Sequence, residues 1–448
     1  MPYVTASHKA PMWRRVAVPT LIAMALIALC GVSARSASAA PVPPGQDPFY
    51  AYQGQEPLAD ISPGTVLKTR ELSYHLEGVA LPIQVVQLLY RSTGETGQPV
   101  VNVTSVLEPP ARTGTPNVVA YQSFYDSLSP NDEPSYAISG GTTLGGLIPT
   151  VESGLIASEL AEGNAVVVAD TEGEQADFSA GPEYGMLTLD SLRAALSSPA
   201  AGLIGATKVG LMGYSGGAIA TEWAAELAPS YAPQLNRLLV GATFGGVLVD
   251  PAHNLTYVNG SSVWAGVIPM SLIGLSRAFG VDFTPYLNSY GLQLFQKLQD
   301  ASITDVLAQY PGLTWAQMAK PQYQNPDSIP AYVQIANQLI MGTGGTPTEP
   351  LLIAQGDDGT IEGTSNDQPG IGPGDGVMIA GDVRSLAREY CQRGVTVDYA
   401  EYGLDHVSTA VPWDATAVPW LQARFEGQPA PQDCDQIAPG NSLAPIGN

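Results

Sequence analysis

The segment at residues 208–227, KVGLMGYSGGAIATEWAAEL, joins a short apolar run to a helical run through a Gly-x-Ser-x-Gly turn. Residues 209–212 have the character of a buried strand, and residues 218–227 form a helical pattern without a breaker. A turn that lifts Ser215 out of a sheet needs unusual backbone angles and neighbours without side chains. In a chain with 48 glycines the turn alone would mean little, but its flanks indicate a nucleophile elbow. We therefore predict a serine hydrolase.

Further apolar stretches predict the sheet around this elbow. They are rich in β-branched residues and bounded by Gly and Pro, and they lie at residues 65–72, 82–91, 100–107, 117–122, 165–170, 238–242, 351–355 and 395–402. The first three indicate an antiparallel start, whereas the later ones alternate with helical segments such as 150–162, 181–196, 383–392 and 410–425. This alternation predicts an α/β fold, with a mostly parallel central sheet flanked by helices.

The alternation of strands and helices is interrupted between residues 247 and 348. Three helical patterns fall there, at 264–275, 286–301 and 332–341, and the interruption is too long for an ordinary connection. We predict a helical cap over the active site at 247–348. The core would then comprise residues 40–246 and 349–428, followed by a Pro/Gly-rich tail at 429–448.

Residues 1–39 resemble a secretory signal, with a basic start, an apolar run and small residues before the expected cleavage site. Removing this segment takes away four basic residues and no acid, so the formal net charge moves from −23 to −27. Such a charge argues against binding to nucleic acid or an anionic membrane. We expect a secreted or cell-envelope-associated monomer whose contact with lipid interfaces is at most peripheral.

Two cysteines, Cys391 and Cys434, remain after cleavage. In an exported protein they most simply form one disulfide, and two free buried thiols are the alternative.

A serine nucleophile needs a base, and the chain has four histidines. His8 leaves with the signal, His75 lies among the antiparallel strands, and His253 lies at the start of the predicted cap. His406 follows the strand predicted at 395–402, which is where an α/β hydrolase places its base.

The triad acid is expected between the serine and the histidine, after the strand at 351–355. Asp375, just ahead of a predicted helix, is the preferred candidate, and Asp358 is the alternative. The acidic residues Asp357, Asp358, Glu362 and Asp367 do not keep the spacing of an EF-hand, and we expect neither a metal nor a cofactor. For the oxyanion hole, one donor is the N–H of Gly216. The second is expected from the segment around Asp126 or from the glycine pairs 140–141 and 145–146.

Taken together, these motifs resemble the secretory lipase family. The resemblance rests on Gly-Tyr-Ser-Gly-Gly at 213–217, YQSFYDS at 121–127, Asp-Thr-Glu-Gly at 170–173 with Gly181 downstream, the cap, and the Cys391 helix leading to Asp405-His406. It implies an α/β-hydrolase fold with an inserted helical lid, and hydrolysis of triacylglycerols and other lipid esters by Ser215, Asp375 and His406. It also implies an oxyanion hole of Asp126 and Gly216 and pairing of the two cysteines. The insert at 357–373 departs from the short turn usual in the family.

Three other functions stay open at this point. The chain could be a short-chain carboxylesterase, an esterase of cell-envelope lipids, or a catalytically silent lipid-binding member of the fold.

Overall fold

A computed structural model describes residues 40–111 and 114–447. The signal segment predicted at 1–39 lies outside the described residues.

The described residues form one sheet of nine strands in the order β1-β2-β3-β5-β4-β6-β7-β8-β9. The strands are β1 Val66–Leu76, β2 Val79–Thr93, β3 Pro99–Leu107, β4 Val118–Gln122, β5 Ala165–Ala169, β6 Val209–Tyr214, β7 Leu239–Gly245, β8 Leu351–Gly356 and β9 Val397–Tyr402. Strands β1, β2, β3 and β5 pair antiparallel, and all pairings from β5 through β4 to β9 are parallel. Strands β4, β5 and β6 are buried along their whole length, as expected for a parallel sheet covered on both faces. The mostly parallel α/β fold predicted from the sequence is confirmed.

The helices of the described residues lie between and beyond these strands. They are α1 Pro134–Ile138, α2 Leu147–Val151, α3 Ser153–Ala161, α4 Gly181–Ser197, α5 Gly216–Tyr231, α6 Pro233–Asn236, α7 Pro251–Val258, α8 Val267–Phe279, α9 Ser289–Lys297, α10 Ile303–Val306, α11 Trp315–Met318, α12 Pro330–Gln338, α13 Ala380–Gln392 and α14 His406–Phe425. None of the helices in the part of the chain that the structure describes has the length and hydrophobicity needed to cross a bilayer.

The segment between β7 and β8 carries helices α7 to α12. Their apolar side chains form a hydrophobic cluster of their own, in which Trp264, Phe283 and Trp315 are among the largest buried members. Residues from the loop after β8, including Val377, join the same cluster. The segment therefore packs as a helical layer on that loop. Helices α9 and α12 are shorter than the predicted 286–301 and 332–341, whereas α8 begins and ends later than the predicted 264–275.

Two further helix predictions were wrong in their bounds. The pattern at 150–162 is split into α2 and α3 at Glu152, whose carboxylate accepts hydrogen bonds from Tyr121 Oη at 2.7 Å and Phe124 N at 2.9 Å. The last helix begins four residues before the predicted 410, and Pro412 and Pro419 lie inside it. It runs without interruption from His406 to Phe425, and the Asp405 side chain caps its first turn.

Helix α5, which follows the elbow, carries a buried pair of glutamates one turn apart. Glu226 accepts hydrogen bonds from the backbone N–H groups of Gly342 at 2.8 Å and Gly345 at 2.9 Å. Among the described residues, no backbone N–H donates to Glu222. The hydroxyl of Tyr390 on α13 lies within hydrogen-bond distance of both glutamates. Burial and the neighbouring Glu226 raise the pKa of Glu222 well above its usual value. Glu222 therefore keeps its proton to a higher pH than an ordinary glutamate, and the contacts with Tyr390 join α5 to α13.

A disulfide between Cys391 and Cys434 joins α13 to the C-terminal tail, with Cα atoms 5.6 Å apart. Beyond it, Asn441 Nδ2 donates to Asp382 Oδ1 at 2.7 Å, and Ile446 N donates to Asn337 Oδ1 at 2.8 Å. The tail is thus fastened along the surface of the core.

Candidate active site

Ser215 lies in the turn between β6 and α5 with φ 53° and ψ −122°, a conformation unfavourable for a residue with a side chain. The glycines beside it are required by close backbone contacts. A Cβ at Gly213 would lie 2.2 Å from the carbonyl oxygen of Gly217, and a Cβ at Gly217 would lie 2.0 Å from that of Gln122. This geometry is that of a nucleophile elbow.

His406 is the first residue of α14 rather than a loop residue. The Asp405 carboxylate accepts from Ser408 N at 2.7 Å, and the hydroxyl of Tyr214 donates to the His406 carbonyl oxygen at 2.5 Å. These contacts fix the backbone on which the imidazole stands. The ring nitrogen Nε2 then lies 2.8 Å from Ser215 Oγ, within hydrogen-bond distance.

Asp375 lies on the other side of the imidazole. Its Oδ2 is 2.8 Å from His406 Nδ1 and also accepts from Gln355 Nε2 at 3.0 Å. Its Oδ1 accepts from the backbone N–H groups of Val377 at 3.1 Å and Met378 at 2.7 Å. All these partners hold the carboxylate in one orientation. The structure therefore brings Ser215, His406 and Asp375 together in the geometry of a triad.

The alternative acid, Asp358, does not contact the imidazole. Its Oδ1 accepts from the hydroxyl of Thr360 at 2.6 Å, within its own turn. Two other histidines also lie elsewhere: His253 Nδ1 is 3.0 Å from Asp382 Oδ1, and His75 Nδ1 is 3.2 Å from the carbonyl oxygen of Ile138.

His406 is buried among carboxylates. Burial alone would lower its pKa, but the negative charges of Asp375, Glu362 and Asp126 outweigh burial and raise the pKa above its usual value. The environment therefore favours the imidazolium that forms when the ring accepts a proton.

The oxyanion candidates Gly216 and Asp126 lie side by side. Gly216 is the first residue of α5, where backbone N–H groups have no partner within the helix. A Cβ at Gly216 would lie 1.8 Å from Asp126 Oδ1, so the aspartate side chain rests on this glycine. Asp126 has a positive φ of 39°, and burial raises the pKa of its carboxyl to about 7. The glycine pairs lie against other groups, since a Cβ at Gly140 or Gly145 would meet His75 or Asp132, respectively.

Sequence reasoning missed two residues at this site, Trp264 and Glu362. The sequence marks Trp264 only as the start of the helical pattern at 264–275. In the structure its ring stands edge-on to His406, with the two ring centroids 5.3 Å apart. Glu362 was weighed only as a calcium ligand. Among the residues that the structure describes, no group of three or more His, Cys, Asp or Glu side chains is arranged to hold a metal ion. No motif marks either residue, because their proximity to His406 arises only from the fold.

Comparisons with known proteins agree with this architecture. The sequence model of the secretory lipase family matches residues 141–433. Lipase A of Arthroderma benhamiae is 32% identical over 418 residues, which cover 88% of this chain and 82% of that protein. A probable inactive lipase of Mycobacterium tuberculosis is 31% identical over 403 residues, covering 87% and 84%.

A solved structure is also similar. Candida antarctica lipase A in its closed state superposes with a TM-score of 0.77 at 26% identity, covering 90% of this chain and 91% of that one. The fold, the elbow and the match of the family model over most of the described core lead to one conclusion: the chain belongs to the secretory lipase family.

Proposed function

We propose that this protein hydrolyses carboxylic esters of lipids through an acyl-enzyme on Ser215. The observation that carries the proposal is the continuous contact from Ser215 Oγ to His406 Nε2 and from His406 Nδ1 to Asp375, with 2.8 Å at each step. Family membership supports ester hydrolysis as the reaction.

The reaction would proceed in two halves. His406 takes the proton of Ser215 Oγ as that oxygen attacks the ester carbonyl, and the imidazolium then gives the proton to the leaving alcohol. Water, deprotonated by His406, attacks the acyl-enzyme in the second half and releases the acid and the free serine. Asp375 holds the ring in the tautomer that leaves Nε2 unprotonated. The N–H of Gly216 and a second donor from the segment around Asp126 would stabilise the negative charge on the carbonyl oxygen.

An apolar cavity of about 90 Å³ supports a lipid acyl chain as part of the substrate. It lies in the helical layer between β7 and β8, where Leu255, Val258 and Leu272 line it. Two further lining residues are close along the chain to residues of the candidate active site. Val377 lies two residues after Asp375. Leu248 lies two residues after Gly246, where an added Cβ would come within 2.7 Å of the His406 ring. We propose that an apolar chain attached to the reacting carbonyl extends into this cavity.

The export of the protein is part of the same proposal. The leader predicted at 1–39, the Cys391–Cys434 disulfide and the acidic composition all fit a protein that works outside the cell as a monomer.

A fluorophosphonate probe and a series of nitrophenyl esters test the function. We expect the probe to label the wild-type protein and not Ser215→Ala, and we expect Ser215→Ala to lose at least about a thousandfold in ester hydrolysis. Activity of Ser215→Ala within tenfold of the wild type would refute the assignment of the nucleophile.

The name of the M. tuberculosis relative favours one alternative, a catalytically silent lipid-binding protein. Absence of labelling in folded wild-type protein, together with binding of fatty acid, would support that alternative. A preference for butyrate over palmitate esters, both monodisperse and emulsified, would instead support a short-chain carboxylesterase.

A further inference from the structure

Glu362 lies in the insert between β8 and α13, the part of the chain that departs from the family pattern. Its side chain is buried, and each of its two oxygens accepts a hydrogen bond from a different segment. Trp264 Nε1, from the segment between β7 and β8, donates to Oε2 at 2.5 Å. The backbone N–H of Val407, next to His406, donates to Oε1 at 3.2 Å. One carboxylate therefore joins the predicted cap to the first turn of the helix that carries the predicted base.

The indole that Glu362 holds is in contact with the imidazole. The rings of Trp264 and His406 are nearly perpendicular, at 84°, with centroids 5.3 Å apart. Both side chains are buried, so neither ring has free space in which to tilt. By accepting the hydrogen bond from Trp264 Nε1, Glu362 therefore holds the indole in the position where it packs against the imidazole.

We propose that Glu362 is a positioning residue for His406, acting through Trp264 and the N-terminus of α14 and adding a second negative charge beside the imidazole. The proposal rests on the proposed function, in which His406 is the base. It goes beyond the triad, because it makes the predicted cap part of the support of the imidazole.

The charge of Glu362 acts together with those of its neighbours. Since Val407 is the second residue of α14, the carboxylate also lies at the positive end of the helix dipole. The acidic groups facing His406 are Asp375, Glu362 and Asp126, and the charged groups facing Glu362 are His406, Asp375 and Asp405. The phenols of Tyr214 and Tyr257 also lie near Glu362. Burial raises the pKa of Glu362, while the neighbouring His406 and the hydrogen bond from Trp264 act in the opposite direction. In its ionised form Glu362 stabilises the imidazolium, both in the free enzyme and while the ring holds the serine proton.

Other contacts already tie this insert to the segment between β7 and β8. Ser262 N donates to the carbonyl oxygen of Gly363 at 3.2 Å, and Gln368 Nε2 donates to that of Tyr257 at 2.8 Å. A merely structural connection would therefore persist without Glu362. What these contacts do not provide is a negative charge beside His406, and this difference can be measured.

The test is the pH profile of kcat/KM on a nitrophenyl ester for the wild type, Glu362→Gln and Trp264→Phe. Glu362→Gln keeps the shape of the side chain and removes its charge. We expect the acid limb to move to lower pH by about half to one unit, and kcat to fall about tenfold with little change in KM. Trp264→Phe keeps the charge and loses the hydrogen bond, so we expect a lower kcat with the acid limb unmoved.

Asp367→Asn is the matched control. Asp367 is an exposed acid in the same insert that accepts from Ser365, and its variant should retain the wild-type profile. A Glu362→Gln profile that superimposes on the wild type would overturn the proposal, and so would an equal shift in Asp367→Asn. If Glu362→Gln does not fold, the conservative Glu362→Asp replaces it. We then expect an unmoved acid limb and a reduced kcat, and a wild-type kcat overturns the proposal.

The outcome is separable from that of the proposed function. Full activity of Ser215→Ala would refute the proposed function whatever Glu362 does. An inactive Ser215→Ala beside an unaltered Glu362→Gln would refute only the role of Glu362.

Discussion

Replacing Asp375 by Asn changes one atom of the predicted triad, and its effect follows from the hydrogen bonds around that atom. The backbone N–H groups of Val377 and Met378 both donate to Oδ1 and cannot be reversed. The amide oxygen of Asn must therefore stay in that position, because turning it away would leave two buried donors facing an NH₂ group at about 1–3 kcal/mol each. The NH₂ group then replaces Oδ2.

In that position the NH₂ group faces His406 Nδ1, which can only accept its hydrogen bond. The imidazole is thus forced into the tautomer with the proton on Nε2, and Nε2 no longer accepts the proton of Ser215. The loss of the base in its reactive tautomer should reduce kcat by about 10⁴-fold, or about 5 kcal/mol of transition-state stabilisation.

The assay is nitrophenyl-ester hydrolysis, with thermal unfolding as the check that the variant is folded. Asp358→Asn is the control, because the Asp358 carboxylate accepts hydrogen bonds from Thr360 in its own turn and from Asn366. This variant should retain activity within about twofold. If folded Asp375→Asn keeps activity within tenfold of the wild type, or if Asp358→Asn suffers the large loss, the reasoning fails.

Three further predictions concern the oxyanion hole, the acyl cavity and the buried glutamates. Gly216→Ala would place a Cβ 1.8 Å from Asp126 Oδ1, so we expect displacement of the oxyanion donors and a fall in kcat of about a hundredfold, measured against an unchanged circular dichroism spectrum. Leu272→Trp should fill the apolar cavity and lower kcat/KM about tenfold on palmitate esters while leaving butyrate esters nearly unaffected; an equal loss on both would argue against acyl binding there. Because the folded-state pKa of Glu222 is raised, its stabilising effect is complete below its unfolded pKa and is lost as the pH rises towards the folded value. Urea unfolding at pH 5 and pH 8 should therefore show a smaller loss of stability for Glu222→Gln than for the wild type, and an identical loss in both would contradict the raised pKa of Glu222.

The elbow and the parallel core could be predicted from sequence because the information is local. Strand, Gly-x-Ser-x-Gly and helix are contiguous at 208–227, and the close backbone contacts that need glycine arise within that segment and the adjacent strand. The antiparallel start was also predicted, but its first two strands extend beyond the predicted 65–72 and 82–91 to meet in a turn at Glu77 and Gly78, where φ is positive at both residues.

What could not be predicted depends on contacts between distant segments. Asp375 and Asp358 were both compatible with the order of the triad, and the three-dimensional course of the insert separates them. The start of α14 was misplaced because Pro412 and Pro419 argue locally against a helix, whereas the cap by Asp405 and the burial of Trp413 and Trp420 stabilise it. Glu362 shows the same limit, since its partners Trp264 and Val407 are 98 and 45 residues away along the chain.

The position of His406 on the last helix has a consequence for synthesis of the chain. The ribosome has made the strand before Ser215 and the helix after it once residue 231 has been added. The imidazole that would activate that hydroxyl is added almost two hundred residues after Ser215, and the strand before His406, β9, closes one edge of the sheet. A nascent polypeptide therefore carries an unactivated alcohol while the residues between Ser215 and His406 are added. The ability to cleave esters would arise only with the final segment.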